Sequence, residues 1–300
     1  MPNILTVNTP SDYCNYLGIA PRHPLVAVID YSGISPVRLS LNRYGVYGIF
    51  LQDNNGFDLS YGCGKYDYRN GSLICVAPGQ VGGKEDTGTR EYIGGWGLLF
   101  HPDLLHGTSL LDEIKKCSFF DYSINEALHM NEDEHHTIVA IFRKMEEEIA
   151  RPRDSFQDEI LVSYISLLLK FCHRFYNRQF QTRKLTNNDI LAKFEELLRT
   201  YYSGKRHDRH GLPTVSFCAE ELCMSPSYFS DLIKKTTGEN AGTIIRRFVM
   251  RQAKNGLASG LSISEVAYSL GFEYPQHFSH SFKKNTGVTP REYLASLNKA

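Results

Sequence analysis

The chain has 300 residues, enough for two domains with ordinary cores, and its 33 Lys and Arg are balanced by 33 Asp and Glu. Net neutrality argues against a generally basic nucleic-acid protein, but the charge is unevenly placed: residues 181–300 hold 17 Lys and Arg against 11 Asp and Glu, a net +6, and residues 1–180 are net −6. Seven cysteines, odd in number and without a C-x-x-C pair, exclude a disulfide scaffold and fit free thiols in a reducing cytoplasm.

From residue 37 to 100 the pattern is short runs separated by glycines. Val37, Leu39 and Leu41 alternate, as do Phe57, Leu59 and Tyr61; residues 73–76 form an apolar run ending in Ala77, Pro78 and Gly79; residues 94–100 put Trp96, Leu98 and Phe100 on one side. Short strands with turn signals at intervals predict a β-sandwich or small barrel over about 25–110. A metal-dependent barrel of this kind needs clustered His and Glu on adjacent strands, whereas His101, His106, His135 and His136 fall at a strand end or in helices. The Ser, His and Cys residues form no nucleophile signature, so the barrel reads as a binding domain without metal, cofactor or enzymatic activity. Arg38, Tyr44, Tyr47 and Trp96 are its candidate ligand contacts, because aromatic walls with one charged group suit a small polar ligand; core packing is the alternative role of each aromatic.

Two helices are predicted over about 131–176. The first, over 132–149, is capped by Asn131 and Glu134 and lines up Ile138, Ile141, Phe142, Met145 and Ile149. The second, over 156–176, is apolar nearly all round: one side packs on the barrel, and the other is a candidate homodimer interface, with burial inside the chain the alternative. Its most apolar part, 160–169, is too short to span a bilayer and lies between Glu159 and Lys170. No basic segment followed by an apolar run opens the sequence, so neither signal peptide nor membrane association is expected and the location is cytoplasmic. Residues 177–185, with Arg178, Arg183 and Lys184, read as the linker between an N-terminal sensor and dimerisation domain (1–176) and a C-terminal domain (186–300).

The C-terminal domain contains a repeat. Residues 228–238 read YFSDLIKKTTG and residues 277–287 read HFSHSFKKNTG, offset by 49 residues and identical at six of eleven positions. Pro226 or Pro275 opens each copy and Gly238 or Gly287 closes it, which predicts helices over 226–237 and 275–286. Phe229, Leu232 and Ile233 face inward in the first, Phe278 and Phe282 in the second. The outward faces match: Ser227, Ser230, Asp231 and Lys234 in one, Gln276, Ser279, His280 and Lys283 in the other. Before each lies a short helix, over 217–222 and 265–270, the latter opened by a Ser262–Glu265 capping box, and each pair makes a helix, a tight turn and a helix. A helix over 241–258 joins the pairs. At about 1.5 Å per residue it spans roughly 27 Å, enough to hold two readers near successive major grooves roughly 34 Å apart. Thr289, Pro290 and Glu292 open one more helix.

This arrangement resembles the DNA-binding domain of AraC/XylS transcription regulators over about 186–297, with residues 262–294, SISEVAYSLGFEYPQHFSHSFKKNTGVTPREYL, the family signature nearly residue for residue. The resemblance implies two tandem helix-turn-helix units, all-α, behind a mainly β, cupin-like N-terminal barrel that binds an effector; the Pro78-Gly79-Gln80 turn is like one found there. It implies base reading by Ser227, Ser230 and Asp231 in the first unit and by Gln276, His277, Ser279 and His280 in the second. Gln276 suits adenine and Asp231 the cytosine amino group, whereas Lys234, Lys235, Arg246, Arg247, Lys283 and Lys284 suit phosphates. Cys223 stands where the second unit has Gly271, so the first turn is expected to be less tight, and the second unit to supply most discrimination. A Lys-Lys pair at a helix end is by itself a solvated cap on the helix dipole; two pairs in one register point to a repetitive anionic partner.

The implied function is a cytoplasmic, dimeric transcription activator that binds promoter double-stranded DNA, engages RNA polymerase and senses an unknown small molecule. The alternatives are a ligand-independent regulator controlled by a protein partner and a reactive-cysteine repair protein fused to such units, although no cysteine here has the context of an activated thiolate.

Overall fold

The computed structural model describes residues 4–53, 71–83, 86, 88–123, 126–182 and 184–297, with backbone alone for 184–186. The strand expected around Phe57, Leu59 and Tyr61, and Cys63, lie outside the described residues. Two compact units divide between Thr182 and Arg183.

In the N-terminal unit, strands β1 (Ile4–Val7), β4 (Leu41–Tyr44) and β7 (Val81–Gly83) form one sheet, with β1 parallel to β4. A second, antiparallel sheet has the order β10 (Leu128–His129), β6 (Ser72–Val76), β5 (Tyr47–Gln52), β9 (Trp96–Phe100) and β2 (Val26–Asp30). β3 (Val37–Arg38) and β8 (Arg90–Glu91) pair separately. The fold is mainly β as expected, but among the described residues the strands pair as three sheets and do not close into one ring.

All five residues of β9 are buried because the larger sheet is covered on both faces. With a period of two, Trp96, Leu98 and Phe100 point one way and Gly97 and Leu99 the other. On the first face Trp96 packs on Phe142 of α3 (Glu132–Ile149), and Tyr47 stacks on Phe100. On the second face Leu99 joins Val7, Tyr31, Tyr44 and Val76 in a core shared with the smaller sheet and with Tyr13, Cys14 and Leu17 of α1 (Pro10–Leu17). α1 starts on a Thr9–Asp12 capping box and ends at Gly18, φ 73°.

α3 begins at the expected Asn131–Glu134 capping box. After the short α2 (Leu110–Ile114), α3 and α4 (Gln157–Thr182) are the long helices of this unit, and α4 overruns the expected linker. The reason is specific bonding: Arg178 holds both Glu134 oxygens and the His129 carbonyl, while the buried Gln179 side chain accepts from the His129 N–H at 2.8 Å and donates to the Ala127 carbonyl at 3.2 Å. Gln179 thus completes the edge strand β10, which sets residues 177–182 as helix rather than linker. The inward face of α4 carries Leu161, Ile165, Leu168 and Cys172; its outward face leaves Phe156, just before the helix, and Leu167 exposed at 65% and 42%.

The C-terminal unit is helical: α5 (Lys184–Ser203), α6 (His207–His210), α7 (Val215–Glu221), α8 (Pro226–Thr237), α9 (Ala241–Ala258), α10 (Ile263–Ser269), α11 (Pro275–Thr286) and α12 (Pro290–Leu297). Phe194 meets Phe229 edge to face at 5.1 Å, and Phe278, Phe282 and Tyr293 form a second aromatic run under α11. No described helix is long and apolar enough to cross a membrane.

Candidate nucleic-acid interface and ligand cavity

Each helix-turn-helix unit is built by local chemistry. The Thr214 hydroxyl accepts the Phe217 N–H and starts α7; the Ser262–Glu265 capping box starts α10. Both turns then carry matching bonds: Cys223 N–H to Glu220 O and Met224 N–H to Ala219 O, each 2.9 Å, against Gly271 N–H to Tyr268 O at 2.9 Å and Phe272 N–H to Ala267 O at 3.0 Å. Cys223 adopts φ 57° and Gly271 φ 88°, both left-handed. The first turn is therefore as tight as the second, a correction to the expectation from Cys223. Left-handed geometry strains a side chain without forbidding it, and Cys223 is exposed.

Glycine at 271 has a different cause. A Cβ there would stand 2.6 Å from the carbonyl carbon and 2.7 Å from the oxygen of Gly211, backbone that cannot yield like a side-chain tip. Residues 204–212 form a brace against this turn. Tyr201 donates its hydroxyl to Gly211 O at 2.9 Å, and Tyr202 donates to Leu270 O at 3.3 Å while stacking on Phe248 of α9. Arg206 pairs with Glu221 at the end of α7. The two units are thus tied by the brace as well as by α9. No periodicity announces it; Gly204, Gly211 and Pro213 are the sequence signals that bound it.

α8 and α11 present the expected residues unequally. Gln276, His277 and His280 are exposed, and the His277 ring rests edge-on against Tyr274 at 5.3 Å. At the position matching His277 the first unit has Tyr228, which is buried. Ser227 and Asp231 are half-buried. Ser230 and Ser279 correct the sequence reading in one respect: their hydroxyls donate to the carbonyls of Pro226 (2.7 Å) and Pro275 (2.9 Å) one turn back, which leaves each oxygen to DNA chiefly as an acceptor. Lys234, Lys235, Lys283 and Lys284 are exposed in the last turns of α8 and α11. Arg246 bonds Thr243 Oγ1 at 3.0 Å, and Arg247 is engaged by Glu239 at 2.8 Å, an ion pair and hydrogen bond that raise its already high pKa. Arg247 would have to leave Glu239 to meet a phosphate.

In the N-terminal unit a cavity of about 150 Å³ lies between the smaller sheet and the second face of the larger one, bordered by Tyr13, Tyr31, Arg38, Asn42, Tyr44 and Phe50 among others. Of the four expected ligand contacts, Arg38 and Tyr44 line it. Tyr47 and Trp96 do not: they sit on the opposite face of the sheet, packed on Phe100, Phe120 and Phe142. Strand parity decides this, since a one-residue offset moves a side chain to the other face. Tyr13 and Tyr31, from segments before residue 37, were missed, although the Thr9–Asp12 capping box marks the helix that carries Tyr13. Among the described residues no three His, Cys, Asp or Glu gather as a metal site. His135 instead bonds Asp53 at 2.7 Å, and His101 Nδ1 accepts the Asp103 N–H. Burial pushes the Cys117 and Cys218 thiols up to about 12 and raises those of Cys75 and Cys172, the opposite of an activated thiolate.

Known proteins match where the two helix-turn-helix units lie. The helix-turn-helix domain family matches residues 218–296. The transcriptional regulatory protein YesN of Bacillus subtilis is 36% identical over 94 residues, 29% of this chain and 25% of that protein. The regulatory protein PocR of Salmonella typhimurium is 34% identical over 118 residues, 39% of this chain and 37% of that protein. The alignments thus span only 25% and 37% of these relatives' own length. Among solved structures, the C-terminal domain of AraT, a response regulator from Geobacillus stearothermophilus, aligns at 28% identity over 36% of this chain and 84% of its own, TM-score 0.32. ToxT from Vibrio cholerae aligns at 15% identity over 92% of this chain and 98% of its own, TM-score 0.30. The C-terminal unit of this chain is a helix-turn-helix DNA-binding domain of the AraC type.

Proposed function

We propose that the protein is a cytoplasmic, sequence-specific transcription activator that binds promoter DNA through both helix-turn-helix units, acts as a dimer, engages RNA polymerase, and takes a small-molecule effector into the cavity of its N-terminal unit. One observation carries the DNA-binding part. Two turns with the same hydrogen bonds, on one helix and one brace, present Gln276, His277 and His280 with paired lysines in matching register. Base edges are read by the exposed polar side chains of α11, phosphates by the lysines, and α8 contributes fewer base contacts because Tyr228 is turned inward. The effector shifts the chain between two arrangements that differ in DNA affinity. The outward face of α4, with Leu167 and Phe156 exposed, is the proposed dimer surface.

The test is binding of the full chain to duplexes selected from a random pool and to its own upstream DNA. Five or six cationic contacts give a slope of log affinity against log salt of about −5. Equal affinity for selected and random duplex refutes sequence-specific reading. Sedimentation of Leu167→Lys against wild type checks the dimer: an unchanged dimer places the interface elsewhere.

A further inference from the structure

The N-terminal cavity is bordered by three buried phenols, Tyr13, Tyr31 and Tyr44, with Arg38, Asn42, Gln52, Asp53 and Ser72 as its other main polar groups. Tyr13 and Tyr31 hydroxyls meet at 3.1 Å, and the Tyr44 hydroxyl accepts from Asn42 Nδ2 at 3.1 Å, whose Oδ1 in turn accepts from Ser40 at 2.7 Å. Tyr31 stands where it does because residue 97 is glycine: a Cβ there would lie 2.6 Å from the Tyr31 oxygen. Burial pushes Tyr13 up to about 12 and raises Tyr31 and Tyr44 well above the ordinary tyrosine range, so all three keep their protons at neutral pH.

Counting donors exposes what the site wants. In the Tyr13–Tyr31 pair one O–H is spent on the other oxygen, and among the described residues the second has no acceptor. Tyr44 is used as an acceptor, and its own O–H has no acceptor among the described residues. Two donors therefore stand over a space walled mainly by Phe50, Ile74, Val76 and Ile93. Among the described residues no buried cation accompanies them: the Arg38 side chain is 60% exposed at the rim and leans toward Asp86 at 3.5 Å. A carboxylate inside would be desolvated without a counter-charge. A cavity of about 150 Å³ holds roughly one six-membered ring with a short substituent.

We propose that this cavity receives an uncharged monocyclic aromatic compound carrying one hydrogen-bond-accepting oxygen, which takes the O–H of Tyr44 and that of the Tyr13–Tyr31 pair while its ring lies against Phe50 and Ile74. The proposal rests on the reading of this unit as the effector domain and adds the ligand class.

Three probes separate the elements of the proposal: acetophenone, neutral with an acceptor oxygen; ethylbenzene, of like shape without it; and benzoate, of like shape with a charge. Each is titrated into the full chain, with affinity read from thermal shift and Trp96 fluorescence, and into Tyr44→Phe and Tyr13→Phe. Acetophenone binds wild type tightest, and Tyr44→Phe weakens it about five- to tenfold, the worth of one hydrogen bond, while ethylbenzene affinity stays the same and reports an intact cavity. Tighter binding of benzoate overturns the uncharged class. Equal binding of acetophenone and ethylbenzene overturns the acceptor, and binding of none of the three overturns the whole assignment. The same samples are then assayed on selected DNA. Acetophenone that binds as expected but leaves DNA affinity unchanged refutes the effector reading and leaves the ligand class standing.

Discussion

Gly271→Ala and Gly287→Ala form a matched pair, because both glycines have left-handed backbones, φ 88° and φ 83°. Nothing lies within 4 Å of a Cβ at 287, so alanine there meets only the conformational cost, about 1 kcal/mol. At 271 the same cost applies, and the Cβ also meets three backbone atoms of Gly211 at 2.6, 2.7 and 2.9 Å. Forcing these apart adds about 1–3 kcal/mol. The displaced brace endangers the Tyr202–Leu270 bond, worth about 1 kcal/mol more. The total is roughly 3–5 kcal/mol against about 1. The single tryptophan is in the other unit, so the assay is hydrogen exchange of the α10 and α11 amides in the full chain. Gly271→Ala speeds their exchange at least about 30-fold more than Gly287→Ala, since each 1.4 kcal/mol is tenfold. Equal acceleration in the two variants means that the turn alone requires glycine at 271 and the brace does not hold it.

Gln276→Ala narrows the gap between selected and mismatched duplexes by about 1–3 kcal/mol, whereas Lys283→Ala weakens binding to all duplexes alike and lowers the salt slope by about 1; the opposite pattern in titrations at several salt concentrations refutes the assignment of roles. Arg178→Ala removes the ties to Glu134 and His129 and lowers N-terminal unit stability by about 2–3 kcal/mol in urea unfolding followed by Trp96 fluorescence; a loss below about 0.5 kcal/mol means that the helix end does not depend on them. Burial raises Tyr13 from 10.0 to about 12, so the folded state holds a proton that the unfolded chain releases, and the stability this confers is complete below pH 10 and lost as pH rises toward 12. Between pH 9 and 11.5 the urea midpoint of the N-terminal unit falls, and falls less in Tyr13→Phe; identical slopes in the two proteins refute the linkage.

Helix boundaries in the C-terminal unit were legible from sequence because their signals are local. Proline at the first position and glycine in the left-handed closing position act within one turn of chain, and α8 and α11 run over the residues they marked; the Ser262–Glu265 capping box starts α10. The outward faces of α8 and α11 followed from the 3.6-residue period once the phenylalanines fixed the inward side. Periodicity was silent on where a hydroxyl spends its hydrogen, and Ser230 and Ser279 turn theirs onto their own helix. It was equally silent on Arg178 and Gln179, whose partners lie about 50 residues away and convert an expected linker into helix.

By itself the sequence determined what neighbouring residues settle among themselves: caps, turns, helical faces, the tandem repeat and the alternation of Trp96, Leu98 and Phe100. Tertiary structure alone decided which side of the larger sheet borders the cavity, because parity fixes that Trp96 and Leu99 face apart but not which face the second sheet covers. It also decided why residue 271 is glycine while residue 223 is cysteine. The two share a backbone conformation; at 271 another stretch of main chain comes within contact distance, whereas Cys223 is exposed.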